Sequence, residues 1–328
     1  MSEILVTGGA GYIGSHVVRK LAAKGFTPII YDDLSAGIKD FVKDYELIQG
    51  DIGDYDKLLS VFKNKKIECV MNFASFIAVG ESCQNPLKYY DNNVSKTVNL
   101  FRAMKEANVK KFIFSSTAAV YGNPDEVPIT ENSKLKPESP YGRTKLMVEQ
   151  ILHDLDKSDN FKFIALRYFN AAGADPAGEI GESHIPETHL IPLIMKSVIY
   201  DDYKITLFGE DYPTPDGTCI RDYIHVYDLA DAHVSAVEKL LAGSDSRIFN
   251  LGNGTGFSVK EVVDSVRRVS GKEPKYTMGP RRDGDPAVLV ASSAAAREYL
   301  NWTPNFPDID KIVETAWNWE KQKKRKGY

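Results

Sequence analysis

Cysteine is scarce in this chain, and the three residues present, Cys69, Cys83 and Cys219, form no Cys-x-x-Cys pair. Disulfides are therefore not expected, and a reducing, cytoplasmic compartment is. Long apolar runs are missing too: no stretch approaches the ~18 residues that a membrane helix needs. The first strand begins so close to the N-terminus that a signal peptide has no room. Nor is there surplus positive charge. The 41 Lys and Arg residues face 45 Asp and Glu, a net charge of −4, which argues against a nucleic-acid platform. The one dense basic run, Lys321 to Lys326, reads as a solvated, frayed end. The six histidines show no metal-ligand spacing, so no metal is expected. Internal repeats and low-complexity linkers are also absent. What remains is ordinary globular material of 328 residues, 43% hydrophobic, enough for about two domains.

Strand and helix patterns alternate along the first half, which predicts a parallel sheet with helices on both faces. Apolar strands are expected at Ile4–Val6, Pro28–Tyr31, Glu46–Ile48, Cys69–Phe73, Lys111–Ser116 and Lys162–Arg167. Helices are expected at Tyr55–Phe62, from Pro86 to Ala107, and from Pro140 with Ser139 as its cap. The turn formers of Ala172–Gly178 mark a boundary, giving domains at 1–177 and 178–328 with some chain crossing back to the first. Beyond it, helices are expected at Glu187–Ile199, Val226–Leu241, Ser258–Val269 and Asp308–Lys321. The last carries Ile309, Ile312, Val313, Ala316 and Trp317 on one face.

Between the first strand and first helix lie Gly8, Gly11 and Gly14 at three-residue spacing. Strand, glycine turn and helix in that order make the pattern a dinucleotide-binding signature rather than a chance match. Gly8 permits the tight turn, Gly11 lets backbone amides approach a pyrophosphate, and Gly14 lets the helix sit close on the strand. Asp32 ends the second strand, where an acid should meet the adenosine ribose.

Tyr141 and Lys145 stand at i and i+4, on one helix face near its N-terminus. A free phenol has a pKa of ~10 and is a poor base at neutral pH. A neighbouring ammonium, the helix end and a cationic nicotinamide would each favour the phenolate. The hydroxyl of Thr117, at the end of the preceding strand, could share a hydrogen bond with Tyr141 and a substrate alcohol. Together they make a constellation for oxidising a secondary alcohol. Read singly, each has a blander role: an aromatic cap with a solvated lysine, and a strand-end cap.

The glycine signature and Tyr-x-x-x-Lys resemble the extended short-chain dehydrogenase/reductase superfamily. Further stretches narrow it: Thr7-Gly-Gly-Ala-Gly-Tyr-Ile-Gly-Ser-His16, Val79-Gly-Glu-Ser82, Tyr89-Tyr-Asp-Asn-Asn-Val94, Ser139-Pro-Tyr-Gly142 and Arg167-Tyr-Phe-Asn170. Asp211-Tyr-Pro-Thr214, Asp216-Gly-Thr218, Arg221-Asp-Tyr-Ile-His-Val226 and Arg281-Arg-Asp-Gly-Asp285 extend the match through the second half. The chain resembles the UDP-glucose 4-epimerase family from its first strand to its last helix. The resemblance implies an α/β fold, a Rossmann-type doubly wound parallel sheet with a smaller α/β domain that binds a UDP-sugar. It implies a tightly held NAD, a UDP-hexose substrate and a homodimer, paired through the helices at about Pro86–Ala107 and Tyr141–Leu155.

By the same resemblance, NAD takes hydride from C4 of the sugar while Tyr141 takes the hydroxyl proton. The 4-keto sugar then turns over and is reduced on its other face, interconverting UDP-glucose and UDP-galactose. Thr117 would hydrogen-bond the sugar, and Lys145 would hold the nicotinamide ribose and lower the phenol pKa. Tyr12, Ile13, Phe73, Ala74, Asn92 and Phe169 would line the cofactor, and Asp51 and Ile52 would contact adenine. Asn170, Leu190, Phe208, Arg221, Arg282 and Asp285 would hold UDP; taken singly, Arg221 and Arg282 could equally pair with Asp222 and Asp283.

Three departures from the family pattern stand out. Its usual Ala-Gly-x-Lys reads Ala74-Ser75-Phe76-Ile77, which removes a lysine near the cofactor phosphates. Its Asn-Asn-Leu reads Thr188-His189-Leu190, where His189 could donate to the diphosphate. Leu289 occupies the position facing the sugar C2 substituent, where the family's tyrosine restricts the pocket to hexoses. A smaller residue there implies added activity on UDP-GlcNAc and UDP-GalNAc, or a UDP-N-acetylglucosamine 4-epimerase, with another nucleotide-sugar epimerase also open. A 4,6-dehydratase needs carboxyls where Ala118 and Ala119 stand, and a non-catalytic dinucleotide sensor needs neither Tyr141 nor Lys145.

Overall fold

The computed structural model describes residues 1–282 and 284–326. Ile4, Leu5 and Val6 are wholly buried in Glu3–Thr7 (β1), which runs through the glycine turn into Tyr12–Ala23 (α1). Then follow Thr27–Asp32 (β2), Glu46–Gln49 (β3), Tyr55–Asn64 (α2), Ile67–Asn72 (β4), Val79–Gln84 (α3) and Pro86–Tyr90 (α4). Lys96–Glu106 (α5), Lys111–Thr117 (β5), Pro140–Asp159 (α6) and Lys162–Tyr168 (β6) complete the first half. The second half holds Asn170–Ala172 (β7), Leu190–Ile199 (α7), Ile205–Phe208 (β8), Ile220–His225 (β9), Val226–Leu241 (α8) and Arg247–Leu251 (β10). It ends with Gly256–Ser258 (β11), Val259–Ser270 (α9), Tyr276–Gly279 (β12), Val288–Leu289 (β13), Ala294–Leu300 (α10) and Ile309–Lys326 (α11).

Seven parallel strands form the main sheet in the order β10-β6-β5-β4-β1-β2-β3. One face packs on α1 and α8 around Val17, Val18, Leu229 and Val237. The other packs on α2, α5 and α6 around Leu58, Leu100, Phe101 and Val148. Burial on both faces is why these strands are continuous apolar runs. The direction of winding reverses between β1 and β4, and in sheets of this kind ligands bind at the strands' carboxyl ends at that point. In the second half, β9 joins β7, β11 and β13, while β8 pairs with β12. Its core gathers Ile194, Val262, Val263, Ile312 and Val313, with the expected apolar face of α11 turned inward.

Two expectations are revised. The helical stretch from Pro86 to Ala107 is not one helix: a π turn at 91–95 separates α4 from α5. Asn93 is buried at that turn, where its side chain bonds Phe76 N, Phe76 O and Thr144 Oγ1. The wider turn aims this amide inward where regular helix would continue. The basic run at the C-terminus is not simply a solvated end. It is helical, and Lys323 is buried, reaching the Glu182 carbonyl at 3.4 Å and Glu320. Among the described residues, no helix is long and apolar enough to cross a membrane.

Candidate active site

The glycine turn is shaped for close approach. Gly8 has φ +70°, and a Cβ there would sit 2.5 Å from Ala74 N; one on Gly14 would meet Gly8 O at 2.3 Å. Gly11 caps α1 without any side-chain acceptor, so the first-turn amides of Tyr12 and Ile13 keep their donors for a ligand. Tyr12 itself is buried, and its hydroxyl donates to Gly173 O at 2.6 Å. Asp32 is buried with one oxygen accepting from Ala10 N and the other from Leu34 N, so it braces the turn. Beside Ala74, the Ser75 hydroxyl is buried and has no hydrogen-bond partner within the protein. An uncapped helix start, a cradle that tolerates only glycine and an orphaned buried hydroxyl suit a pyrophosphate-bearing dinucleotide.

The other expected cofactor positions are distributed around this cradle. Phe73 packs on His233 with ring centroids 5.0 Å apart, and its amide bonds Thr7 O. Ile52 is buried in the core beside Tyr31 and Leu58. The Asp51 carboxylate is held by Lys96 Nζ and by Gly53 N at 2.7 Å. Asn92 donates only to Asn93, and it is Asn93 that ties the 73–76 loop to α6. Phe169 packs in a small apolar cluster with Ala118, Tyr121 and Ala291, against which Leu289 also rests.

The chemistry-bearing side chains meet where β5 ends and α6 begins. Ser139 accepts from Gly142 N at 3.1 Å and Pro140 takes the first helical position, as expected. Ser82 adds a second anchor, accepting from Tyr141 N at 3.2 Å. The Thr117 hydroxyl accepts from Ala119 N at 3.1 Å, which leaves its single proton to face the neighbouring Tyr141 phenol, whose pKa it works to lower. Thr117 thus caps the strand end and keeps its proton free on the side of the phenol. Burial pushes the Tyr141 phenol up to about 12, against the lowering effect of Thr117.

Lys145 follows one turn along the helix from Tyr141. Its Nζ lies 5.9 Å from the centre of the Tyr141 ring and donates instead to Ser115 O at 2.8 Å. Burial lowers the ammonium to about 7, with Glu149 acting the other way. Within the protein alone, burial is the largest influence on both groups, raising the phenol and lowering the ammonium. Four residues further on, Glu149 receives two bonds from Arg167, at 3.0 and 2.6 Å, and another from Ser116 Oγ. Arg167 continues to Tyr121 and, through it, to Asn250 on β10. This buried network underpins the reacting edge. Its signal in the sequence is the four-residue spacing of Tyr141, Lys145 and Glu149.

A cavity of 250 Å³ is lined by Asn170, Leu190, Phe208, Arg221, Arg282 and Asp285 among others. All six residues expected to hold UDP thus share one pocket. Arg221 on β9 pairs with Asp285, not with Asp222, whose carboxylate is taken by the amides of Asn253, Gly254 and Ala291. Arg282 stacks its guanidinium 4.3 Å from the centre of the Phe208 ring; its alternative partner Asp283 lies outside the described residues. Sequence reasoning began α7 three residues early, at Glu187, and overlooked its amides. His189 caps that helix without a side-chain bond, and Leu190 and Ile191 of its first turn line the same pocket as Arg221 and Arg282. Burial works to lower the His189 imidazole, but Glu182 and Glu187 outweigh it and hold it up to about 10.

The model of the NAD dependent epimerase/dehydratase family matches residues 4–252. A UDP-glucose 4-epimerase of Lacticaseibacillus casei is 50% identical over 317 residues, 96% of each chain. A crystal structure of UDP-glucose 4-epimerase from Brucella ovis in complex with NAD is 44% identical, with a TM-score of 0.94 over 96% of this chain and 97% of that one. The UDP-Glc/GlcNAc 4-epimerase of Campylobacter jejuni is 42% identical, with a TM-score of 0.86 over 98% of this chain and 100% of that one.

Proposed function

The chain belongs to the NAD dependent epimerase/dehydratase family, and from that premise we propose that it interconverts UDP-glucose and UDP-galactose at C4 of the sugar. The observation that carries this reading is the pocket that gathers Asn170, Leu190, Phe208, Arg221, Arg282 and Asp285, together with Thr117 acting on the Tyr141 phenol where β5 meets α6. NAD, when bound, supplies a hydride acceptor for C4 and a cationic nicotinamide that favours an ionised phenol. The residues that would hold it are Gly8, Gly11, Tyr12, Ile13 and Gly14 at the phosphates, Asp32 at the adenosine ribose, and Ser75 as a further donor.

Tyr141, ionised, takes the proton of the C4 hydroxyl, while the Thr117 hydroxyl stays protonated and donates a hydrogen bond beside it. After the sugar has turned over, the proton returns from Tyr141 to the 4-keto oxygen and the hydride lost from C4 is restored on the other face, so the exchange ends without net oxidation. Turning requires one end of the substrate to stay fixed. Arg221, Arg282 and the amides opening α7 do this by gripping the diphosphate, since a guanidinium can bond two phosphate oxygens while neutralising their charge. Lys145 holds the base of β5 and α6 together through Ser115. Ala118 and Ala119 carry methyl groups where a dehydratase would need carboxyls.

Leu289 sits at the edge of the Phe169 cluster and extends the reading to N-acetylated UDP-sugars. The likeness to the Campylobacter jejuni protein, whose name gives both substrates, supports that extension. We also read the chain as a cytoplasmic homodimer, with α4, α5 and α6 as the paired helices. The test is an NMR assay of UDP-galactose with no added dinucleotide. Conversion to a mixture with UDP-glucose is expected; no conversion, with or without added NAD, would sink the proposal.

A further inference from the structure

Between β7 and α7 the chain passes through Glu182, His184, Glu187 and His189, and folding brings one ligand atom of each within 4.8 Å of all the others. The Nδ1 atom of His189 lies 2.7 Å from Glu182 Oε1 and 3.1 Å from Glu187 Oε1. The Nδ1 atom of His184 lies 3.2 Å from Glu182 Oε1 and 3.9 Å from Glu187 Oε2. For ligands at 2.0–2.2 Å from zinc, the edges of a tetrahedron measure roughly 3.3–3.6 Å. The observed separations bracket that range.

The surroundings are unlike those of a surface acidic patch. Both carboxylates are buried, and the Glu187 side chain has no exposure at all. Its Oε1 accepts from the amides of Thr188 and His189, at 2.8 and 2.9 Å. Its Oε2 is buried with no hydrogen-bond partner. A buried, unpartnered carboxylate oxygen needs an explanation, and this one belongs to a side chain whose partners are two imidazole nitrogens and a second carboxylate. The loop is also braced from behind: the Glu182 carbonyl accepts from Trp319 Nε1 at 2.8 Å and from Lys323 Nζ at 3.4 Å.

We propose that Glu182, His184, Glu187 and His189 bind one zinc ion as a closed structural site. Two imidazole nitrogens and two carboxylate oxygens, without thiolate, form a borderline-hard set that zinc takes in four-coordinate geometry. Binding satisfies Glu187 Oε2, which otherwise lacks a hydrogen-bond partner. The ion clips a segment with two neighbours. On one side His184 packs edge-on against Tyr12 of the glycine turn, with ring centroids 6.2 Å apart. On the other, His189 caps α7 and lines the pocket together with Glu182. The metal thus ties the two ligand-binding regions through one loop and takes no part in the proton transfer. The proposal is independent of which sugar nucleotide the enzyme turns over.

The test uses full-length protein without a polyhistidine tag, equilibrated with zinc chloride near pH 8 and passed through gel filtration. Elemental analysis should then find about one zinc per chain. His184→Gln and Glu187→Gln should each lower the retained zinc at least tenfold; neither residue lines the pocket. Cys83→Ser, which removes the exposed thiol, should leave the zinc content unchanged. Cobalt(II) loaded into the unmutated protein should show four-coordinate ligand-field bands without a thiolate charge-transfer band, a readout that needs no variant to fold. Zinc lost on gel filtration, equal zinc in His184→Gln and the parent, loss on Cys83→Ser, or a thiolate band would each overturn the proposal.

Discussion

Tyr141 has to give up a proton that its surroundings hold tightly. Burial raises the phenol to about 12, and within the protein only Thr117 works against it. Removing the hydroxyl should therefore remove the chemistry and little else. Tyr141→Phe is expected to lower turnover by about 10²–10⁴, the usual worth of a positioned acid–base group, while co-purified dinucleotide, read from absorbance, stays at the parental level. Wild-type turnover in that variant would assign the base elsewhere. Leu289 governs a different property. A tyrosine there would add bulk against Phe169 and Ala118, so Leu289→Tyr should reduce turnover of UDP-GlcNAc by about tenfold or more, yet leave UDP-galactose within about twofold, as for a lost pocket volume of a few methylenes. Paired assays of the two sugars check this directly; equal losses on both would remove Leu289 from the sugar pocket.

At the scale of elements, α6 carries the argument. Its cap at Ser139, its proline at the first position and the Tyr141/Lys145 face were all legible, because they depend on local spacing and capping chemistry alone. What lay beyond reach depended on partners from far along the chain. Asn93, Ser82 and Arg167 meet α6 only through tertiary packing, and burial set the direction of the Lys145 shift. That shift has a consequence for stability. The folded lysine titrates near 7, well below the ~10.4 of an unfolded chain. Between those values the unfolded state binds more protons, so stability rises with pH; below about 7 the cost of burying the charge is fully present. Lys145→Met should therefore melt above the parent at pH 6, with the gap narrowing as pH climbs to 9. Calorimetric scans across that range test it, and a gap that widened with pH would contradict the assignment.

For the molecule as a whole, the alternation of strands and helices predicted the parallel sheet because burial on both faces leaves an unmistakable apolar run. The pocket was less legible: its members come from seven separate stretches between Asn170 and Asp285, and only a resemblance could gather them before folding did. Assembly between copies belongs to this scale too. Leu87 on α4 and Met147 on α6 expose apolar side chains on the helices proposed to pair. Light scattering at micromolar concentration should give twice the mass of one chain, and Leu87→Asp should shift it toward the monomer. A monomeric parent would end that reading. The return of β10 to the main sheet has a last effect, on how the protein is made. Synthesis proceeds from the N-terminus, so β6 stays an open, sticky border until residues 247–251 leave the ribosome. Most of this chain must be translated before its oldest part can close, and chaperone attention falls on that interval.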